Sequence, residues 1–125
     1  MDNLVKSVVI ICEDSPIGKN STTESIRLGA GLMVLGDIES CKIIFMGDSV
    51  YFLTKKFNPE FLNMESMDSI YRMLELSDIE IFVLDSALNG AGITKEELID
   101  LKVVKVASIK EISNFISQAD TTFRY

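Results

Sequence analysis

Apolar residues along the chain follow two alternating patterns. Short continuous runs occur at Val8-Val9-Ile10-Ile11, Ile43-Ile44-Phe45 and Ile81-Phe82-Val83-Leu84, the last bounded by acidic residues on both sides. Runs of this kind predict strands buried on both faces of a parallel sheet. Elsewhere the apolar residues recur at helical spacing. Met67, Ile70, Tyr71 and Leu74 fall at i, i+3, i+4 and i+7, and Ile109, Ile112, Phe115, Ile116 and Ala119 form a second apolar face near the end of the chain,. Ser21-Thr22-Thr23-Glu24, Thr94-Lys95-Glu96-Glu97 and Ser108-Ile109-Lys110-Glu111 read as capping boxes, in which hydroxyl and carboxylate satisfy free backbone donors reciprocally at a helix start.

In chain order the pattern predicts a strand at 4–12, a loop at 13–20 punctuated by Pro16 and Gly18, and a helix from 21 to about 35, stopped near Gly36,. A strand at 41–46 and a short helix at 49–55 follow, then a loop at 57–63 and a helix at 65–76. After the strand at 81–84, Asp85 to Gly92 reads as a polar, glycine-rich loop,. A short helix at 94–100, a strand at 103–107, a helix at 109–119 and a closing strand at 121–125 complete the chain. Strands alternating with helices define an α/β fold with a mostly parallel sheet and helices on its faces, and right-handed crossovers restrict its topology. With no internal repeat or linker visible, residues 1–125 are expected to form one domain.

The first helix departs from the usual amphipathic pattern. Between Ile26 and Gly36 the only charge is Arg27, and Ile26, Leu28, Ala30, Leu32, Met33, Val34 and Leu35 wrap around most of the cylinder. A helix apolar on most sides is buried on most sides. One face is expected against the sheet and another against a second subunit, with burial under the chain's own loops as the alternative. Gly29 and Gly31 would permit close approach at a small cost in helix propensity.

Composition narrows the function. Apolar residues make up 47 % of the chain and charged ones 25 %, a globular rather than disordered balance. A mean hydropathy of +0.25 leaves room for surface buried between subunits. The net charge of −7 and the scatter of the basic residues argue against direct nucleic-acid binding, which needs clustered lysine and arginine. The chain has no histidine, which removes Ser-His-Asp and Cys-His machinery and histidine-ligated metals. Two distant cysteines, Cys12 and Cys41, fit a reducing cytoplasm better than a disulfide framework. The short apolar run before Glu13 and Asp14 is not a signal peptide, and no stretch approaches the ~20 apolar residues that span a bilayer.

Candidate chemistry gathers beyond the carboxyl ends of the strands, where ligands of open α/β sheets collect. After the first strand, Ser15, Gly18, Lys19 and Ser21 form a loop opening a helix, a place that presents free N–H groups to anions. Gly18-Lys19 hints at a phosphate loop, but that motif needs glycine where Glu13 stands and a hydroxyl where Asn20 stands,. After the third strand, Asp85, Ser86 and Asn89 are ligand-binding candidates with no reactive group among them. Asp14, Asp48 and Asp85 each follow a strand; their first reading is turn and helix capping, and no metal is expected. Cys12 is the only thiol near this rim, but Glu13 and Asp14 follow it directly and disfavour a thiolate. It is read as structural, with a reactive thiol as the alternative. Cys41 begins the second strand, roughly a strand length away, ~15 Å, too far for a disulfide.

Gly47-Asp48-Ser49-Val50-Tyr51, the segment from Leu74 to Glu80 with Ser77-Asp78-Ile79-Glu80, Ser86-Ala87-Leu88 leading to Gly92-Ile93, and the tail Asp120 to Tyr125 together resemble the DsrE/DsrF family of small sulfur-relay proteins, most closely its DsrF/TusC branch. The resemblance runs over essentially the whole chain. It implies a three-layer α/β/α domain of five strands with the last beside the first. It also implies trimers or hexamers, either homo-oligomeric or with DsrE/TusD-like and DsrH/TusB-like chains. Sulfur-carrying members hold a persulfide on a cysteine at the end of the third strand, for tRNA thiolation or sulfur oxidation. Here that region is Val83-Leu84-Asp85-Ser86, without cysteine. The resemblance therefore implies a cytoplasmic, non-carrier subunit that is not catalytic alone, is associated with a sulfurtransferase activity, and needs no cofactor. The alternatives are a homo-oligomeric module binding a small molecule or anion, and a persulfide carrier using Cys12.

Overall fold

The computed structural model of the chain describes residues 6–14, 21–34, 38–54, 72–73, 76–99 and 104–125, with the backbone alone at 21–23. The apolar runs form the strands β1 (Ser7–Cys12), β2 (Ser40–Phe45), β3 (Glu80–Leu84) and β4 (Val104–Ala107), joined by β5 (Thr121–Arg124). The helices are α1 (Ser21–Val34), α2 (Asp85–Ala91) and α3 (Ile109–Gln118), with 3-10 turns η1 (Gly47–Leu53) and η2 (Lys95–Glu97). The sheet has five strands in the order β4-β3-β2-β1-β5, and every neighbouring pair is parallel.

The runs are continuous because the strands are covered on both sides. Val8, Ile10, Cys12, Ile43, Phe45, Ile81 and Val83 face one way and pack with Ile26 and Ala30 of α1, Val50, Phe52 and Leu53 of η1, and Leu88 of α2. Val9, Ile11, Ile44, Phe82, Leu84 and Ala107 face the other way against Ile112 of α3, with Phe115 and Ile116 beside it. The result is three layers, helix, sheet and helix. Phe82 and Phe115 stack at 4.5 Å between ring centroids, and Lys42 lies 5.3 Å from the centre of the Phe115 ring.

Of the two glycines in α1, one explains how the helix sits. A methyl group at Gly29 would meet Cys41 Sγ at 3.2 Å, Ile79 Cδ1 at 3.3 Å and Ile43 Cδ1 at 3.4 Å. Glycine lets the helix axis settle onto β2. Gly31 has nothing among the described residues within 4 Å of the corresponding position.

The box at Ser108 forms as the pattern predicts. Glu111 N–H donates to Ser108 Oγ at 3.2 Å, and Ser108 N–H to Glu111 Oε1 at 3.1 Å. At Thr94 the backbone N–H reaches Glu97 Oε1 at 3.1 Å, but the helix expected at 94–100 is a single 3-10 turn. Leu98 leaves it to bridge Thr54 in antiparallel fashion. The expected helix at 49–55 is likewise a 3-10 turn, one that starts at Gly47. The capping side chains of the first box, most of the helix expected at 65–76 and the loop at 57–63 lie outside the described residues.

The last strand is fastened at both ends. At its start the Asp120 carboxylate accepts the Lys6 and Ser7 N–H groups at 2.9 and 3.0 Å, while Asp120 N–H reaches Ser7. At its end Tyr125 N–H donates to Ile11 O at 2.8 Å, and Arg124 pairs with Glu13 at 2.5 Å.

Candidate functional site

The carboxyl ends of β1, β2 and β3 and the segments that follow them make one rim. Where β1 and β2 leave the sheet, the backbone is held close. Met46 N–H donates to Cys12 O at 3.0 Å, and the buried Ser49 hydroxyl lies 2.7 Å from both Cys12 O and Met46 O. Gly47 takes a left-handed conformation, φ +57°, and a Cβ there would stand 3.0 Å from Glu13 O. Only glycine combines that conformation with that approach.

Cys12 points inward from this rim. It is 1 % exposed, and its thiol donates to Ser25 Oγ at 2.8 Å. Burial pushes the thiol up to about 12, with the Ser25 hydrogen bond offsetting part of the rise and the charge of Asp14 adding to it. Cys41 is also buried and unbridged, and burial pushes it to about 11. The register opposes Cys41 to Val8 and Cys12 to Phe45, which sets the two thiols at opposite ends of the strands, as the sequence predicts. Neither is available as a nucleophile in this conformation.

At the end of β3 the structure corrects the sequence reading. Asp85, Ser86 and Asn89 are not on a loop. They lie on α2, which begins directly after Leu84 and ends at Gly92, φ +71°, whose N–H returns to Asn89 O and Leu88 O. Leu88 supplies the reason, since its burial rewards a helical turn that the local glycines and asparagine do not favour. Asp85, Ser86 and Asn89 are all exposed, and Asp85 Oδ1 accepts Ser86 N–H at 2.6 Å. The other candidates, Ser15, Gly18 and Lys19, lie outside the described residues, as does the side chain of Ser21. The anion-loop reading therefore has no described geometry. Among the described residues no three acidic or thiol side chains converge as a metal site would require.

Reasoning from the sequence missed a cleft. Gly47, Asp48 and Tyr51 of η1 face Ala87, Gly90 and Ala91 of α2 across a cavity of about 220 Å³. Among the described residues its lining holds one carboxylate, one phenol and otherwise glycine and alanine. The segment Gly47 to Tyr51 was legible as a motif, but its facing wall comes from a stretch read as loop. A second hollow of about 330 Å³ lies elsewhere, between Ala30, Met33 and Val34 of α1 and Leu76, Ser77 and Asp78. Val34 is 83 % and Leu76 77 % exposed there.

This arrangement defines a class: a three-layer α/β/α fold with an all-parallel sheet, both cysteines buried, and large apolar side chains left bare at Val34 and Leu76. Solved structures share the fold. The ychN protein from E. coli superposes with a TM-score of 0.77 at 22 % identity over 96 % of this chain and 99 % of that one. A conserved protein of unknown function from Bacteroides thetaiotaomicron gives 0.67 at 11 % identity, over 94 % of each chain. The profile of the DsrE/DsrF-like family matches residues 6–125, and the chain belongs to that family. A TusC homolog of Aliivibrio fischeri is 39 % identical over 83 residues, 66 % of this chain and 69 % of the relative. The intracellular sulfur oxidation protein DsrF of Allochromatium vinosum is 23 % identical over 125 residues, 97 % of this chain and 88 % of the relative. These place the chain in the DsrF/TusC branch.

Proposed function

We propose that this chain is the non-carrier subunit of a cytoplasmic sulfur-relay assembly, completing a complex whose persulfide is held by a cysteine-bearing relative. The observation that carries the reading is the condition of the thiols. Both are buried and raised well above neutrality, while the end of β3 presents a carboxylate and a hydroxyl, Asp85 and Ser86. A persulfide on Cys12 would require Cys12 to leave its bond with Ser25 and α1 to lift from the sheet. The names of the relatives, a TusC homolog and an intracellular sulfur oxidation protein, support the pathway. The bare apolar surface around Val34 and Leu76 supports a chain that works in company, since isolated globular surfaces seldom leave large apolar groups clustered and uncovered. Among the described residues no helix is long and apolar enough to cross a membrane.

The test is sulfur loading followed by intact mass. The chain is incubated with a persulfide donor alone, as Cys12→Ser, and together with a cysteine-bearing family member from the same organism. The reading expects added sulfur on the relative and none on this chain, and co-purification of the two. Sulfur added to the wild type and absent from Cys12→Ser would overturn it.

A further inference from the structure

We propose that the cleft between η1 and α2 is a receptor for an arginine side chain presented by a partner protein. This rests on the assembly reading above and names the surface and the chemistry by which a partner docks at the rim. Among the described residues the cleft's only charge is the Asp48 carboxylate, which is exposed, and no described cation pairs with it. Beside it Tyr51 stands 37 % exposed, although its neighbours Val50, Phe52 and Leu53 are fully buried. The opposite wall is Ala87, Gly90 and Ala91 of α2. Carboxylate and aromatic ring both favour a cation, and among the described residues no basic side chain lines the cleft to oppose one.

The shape selects the cation. A planar guanidinium can lie against an aromatic ring while its N–H groups reach a carboxylate, which a compact ammonium cannot do equally well. Glycine and alanine on both walls leave the backbone open to close approach. The net charge of −7 adds long-range attraction for a basic surface.

The cleft is tested by amide chemical-shift titration of the full chain with N-acetyl-argininamide, N-acetyl-lysinamide and N-acetyl-citrullinamide. The arginine compound is expected to shift Gly47, Asp48, Tyr51, Gly90 and Ala91 saturably. Asp48→Asn and Tyr51→Ala each weaken that response roughly tenfold, and citrulline, isosteric but neutral, gives none. Shifts scattered over the acidic surface, indifference to either substitution, or an equal response to lysine overturn the assignment. Co-purification with the cysteine-bearing relative then separates this proposal from the one it rests on. Loss of the complex in Asp48→Asn and Tyr51→Ala, with unchanged folding by circular dichroism, supports docking here. An undiminished complex overturns docking at the cleft and leaves the relay reading standing. If the wild type itself does not associate, the relay reading and the docking that rests on it both fail, and the titration decides only whether the cleft takes a guanidinium.

Discussion

The thiol of Cys12 and the hydroxyl of Ser25 meet at 2.8 Å beneath α1, both groups shut off from solvent. A thiol raised to about 12 is ionised at pH 7.5 in roughly one molecule in 10⁴ to 10⁵, and the thiolate is the form that reacts. Native protein is therefore expected to consume a maleimide or disulfide reagent very slowly, on the timescale of local opening, and both cysteines quickly once denaturant is added. Ser25→Ala removes the acceptor. It should cost about 1 kcal/mol of stability without making Cys12 reactive, because burial rather than the hydrogen bond dominates the shift. Rapid labelling of the native chain at Cys12 would contradict this account.

Gly29 and Gly31 are two residues apart and should respond oppositely to alanine. At Gly29 the new methyl meets Cys41, Ile79 and Ile43 at 3.2 to 3.4 Å. Overpacking of a closed core costs about 1–3 kcal/mol, set against the ~1 kcal/mol gained in helix propensity, and the three contacts together tip the balance toward loss. At Gly31 the methyl meets nothing among the described residues, so the propensity gain of ~1 kcal/mol stands alone. Urea midpoints should fall for Gly29→Ala and rise for Gly31→Ala, with unchanged slopes.

What the sequence disclosed and what it withheld have separate physical causes. Val8 to Ile11 and Ile81 to Leu84 are legible as strands because burial on both faces demands an unbroken apolar run. The Ser108 box is legible because its partners are local. Helix α2 is not, because Asn89, Gly90 and Gly92 have poor helix propensity and the stabilising contact is the burial of Leu88, a tertiary effect. The cleft is hidden for the same reason, since its walls come from segments 47–51 and 87–91, which no local pattern connects. That the end of the third strand carries no cysteine was legible from residue types alone, while the inward direction of Cys12 required the fold.

Val34 and Leu76 are 83 % and 77 % exposed on either side of one hollow. If that surface is covered by another subunit, Val34→Asp or Leu76→Asp buries an unpaired charge in the interface, which costs several kcal/mol. In the free chain the same change faces water and shifts stability by only about ±0.5 kcal/mol. Sedimentation velocity at micromolar concentration is expected to show the wild type associated and both variants shifted to smaller species, with similar secondary structure by circular dichroism. Identical sedimentation of all three would show that this hollow is not where subunits meet.

Asp120 links the β1–β5 pairing to pH. Its carboxylate accepts the N–H groups of Lys6 and Ser7 at 2.9 and 3.0 Å, and those backbone bonds, ahead of the Ser7 side chain and the Lys6 charge, hold it below its ordinary 3.8. A carboxyl group depressed by folding contributes stability that is fully present above its unfolded value and disappears as pH falls through the lower folded one. The window therefore opens near pH 4 and extends downward. Asp120→Ala should melt below wild type at pH 7, and the gap should narrow as pH drops from about 4 toward 2. The group is exposed and the effect is small, so the informative quantity is the difference between the two melting curves across pH. Asp120→Asn keeps an acceptor but not the charge, and should fall between them at pH 7 with little dependence on acid. A gap between wild type and Asp120→Ala that stays constant from pH 7 to pH 2 would show that the carboxylate's charge plays no part in fastening β5 to β1.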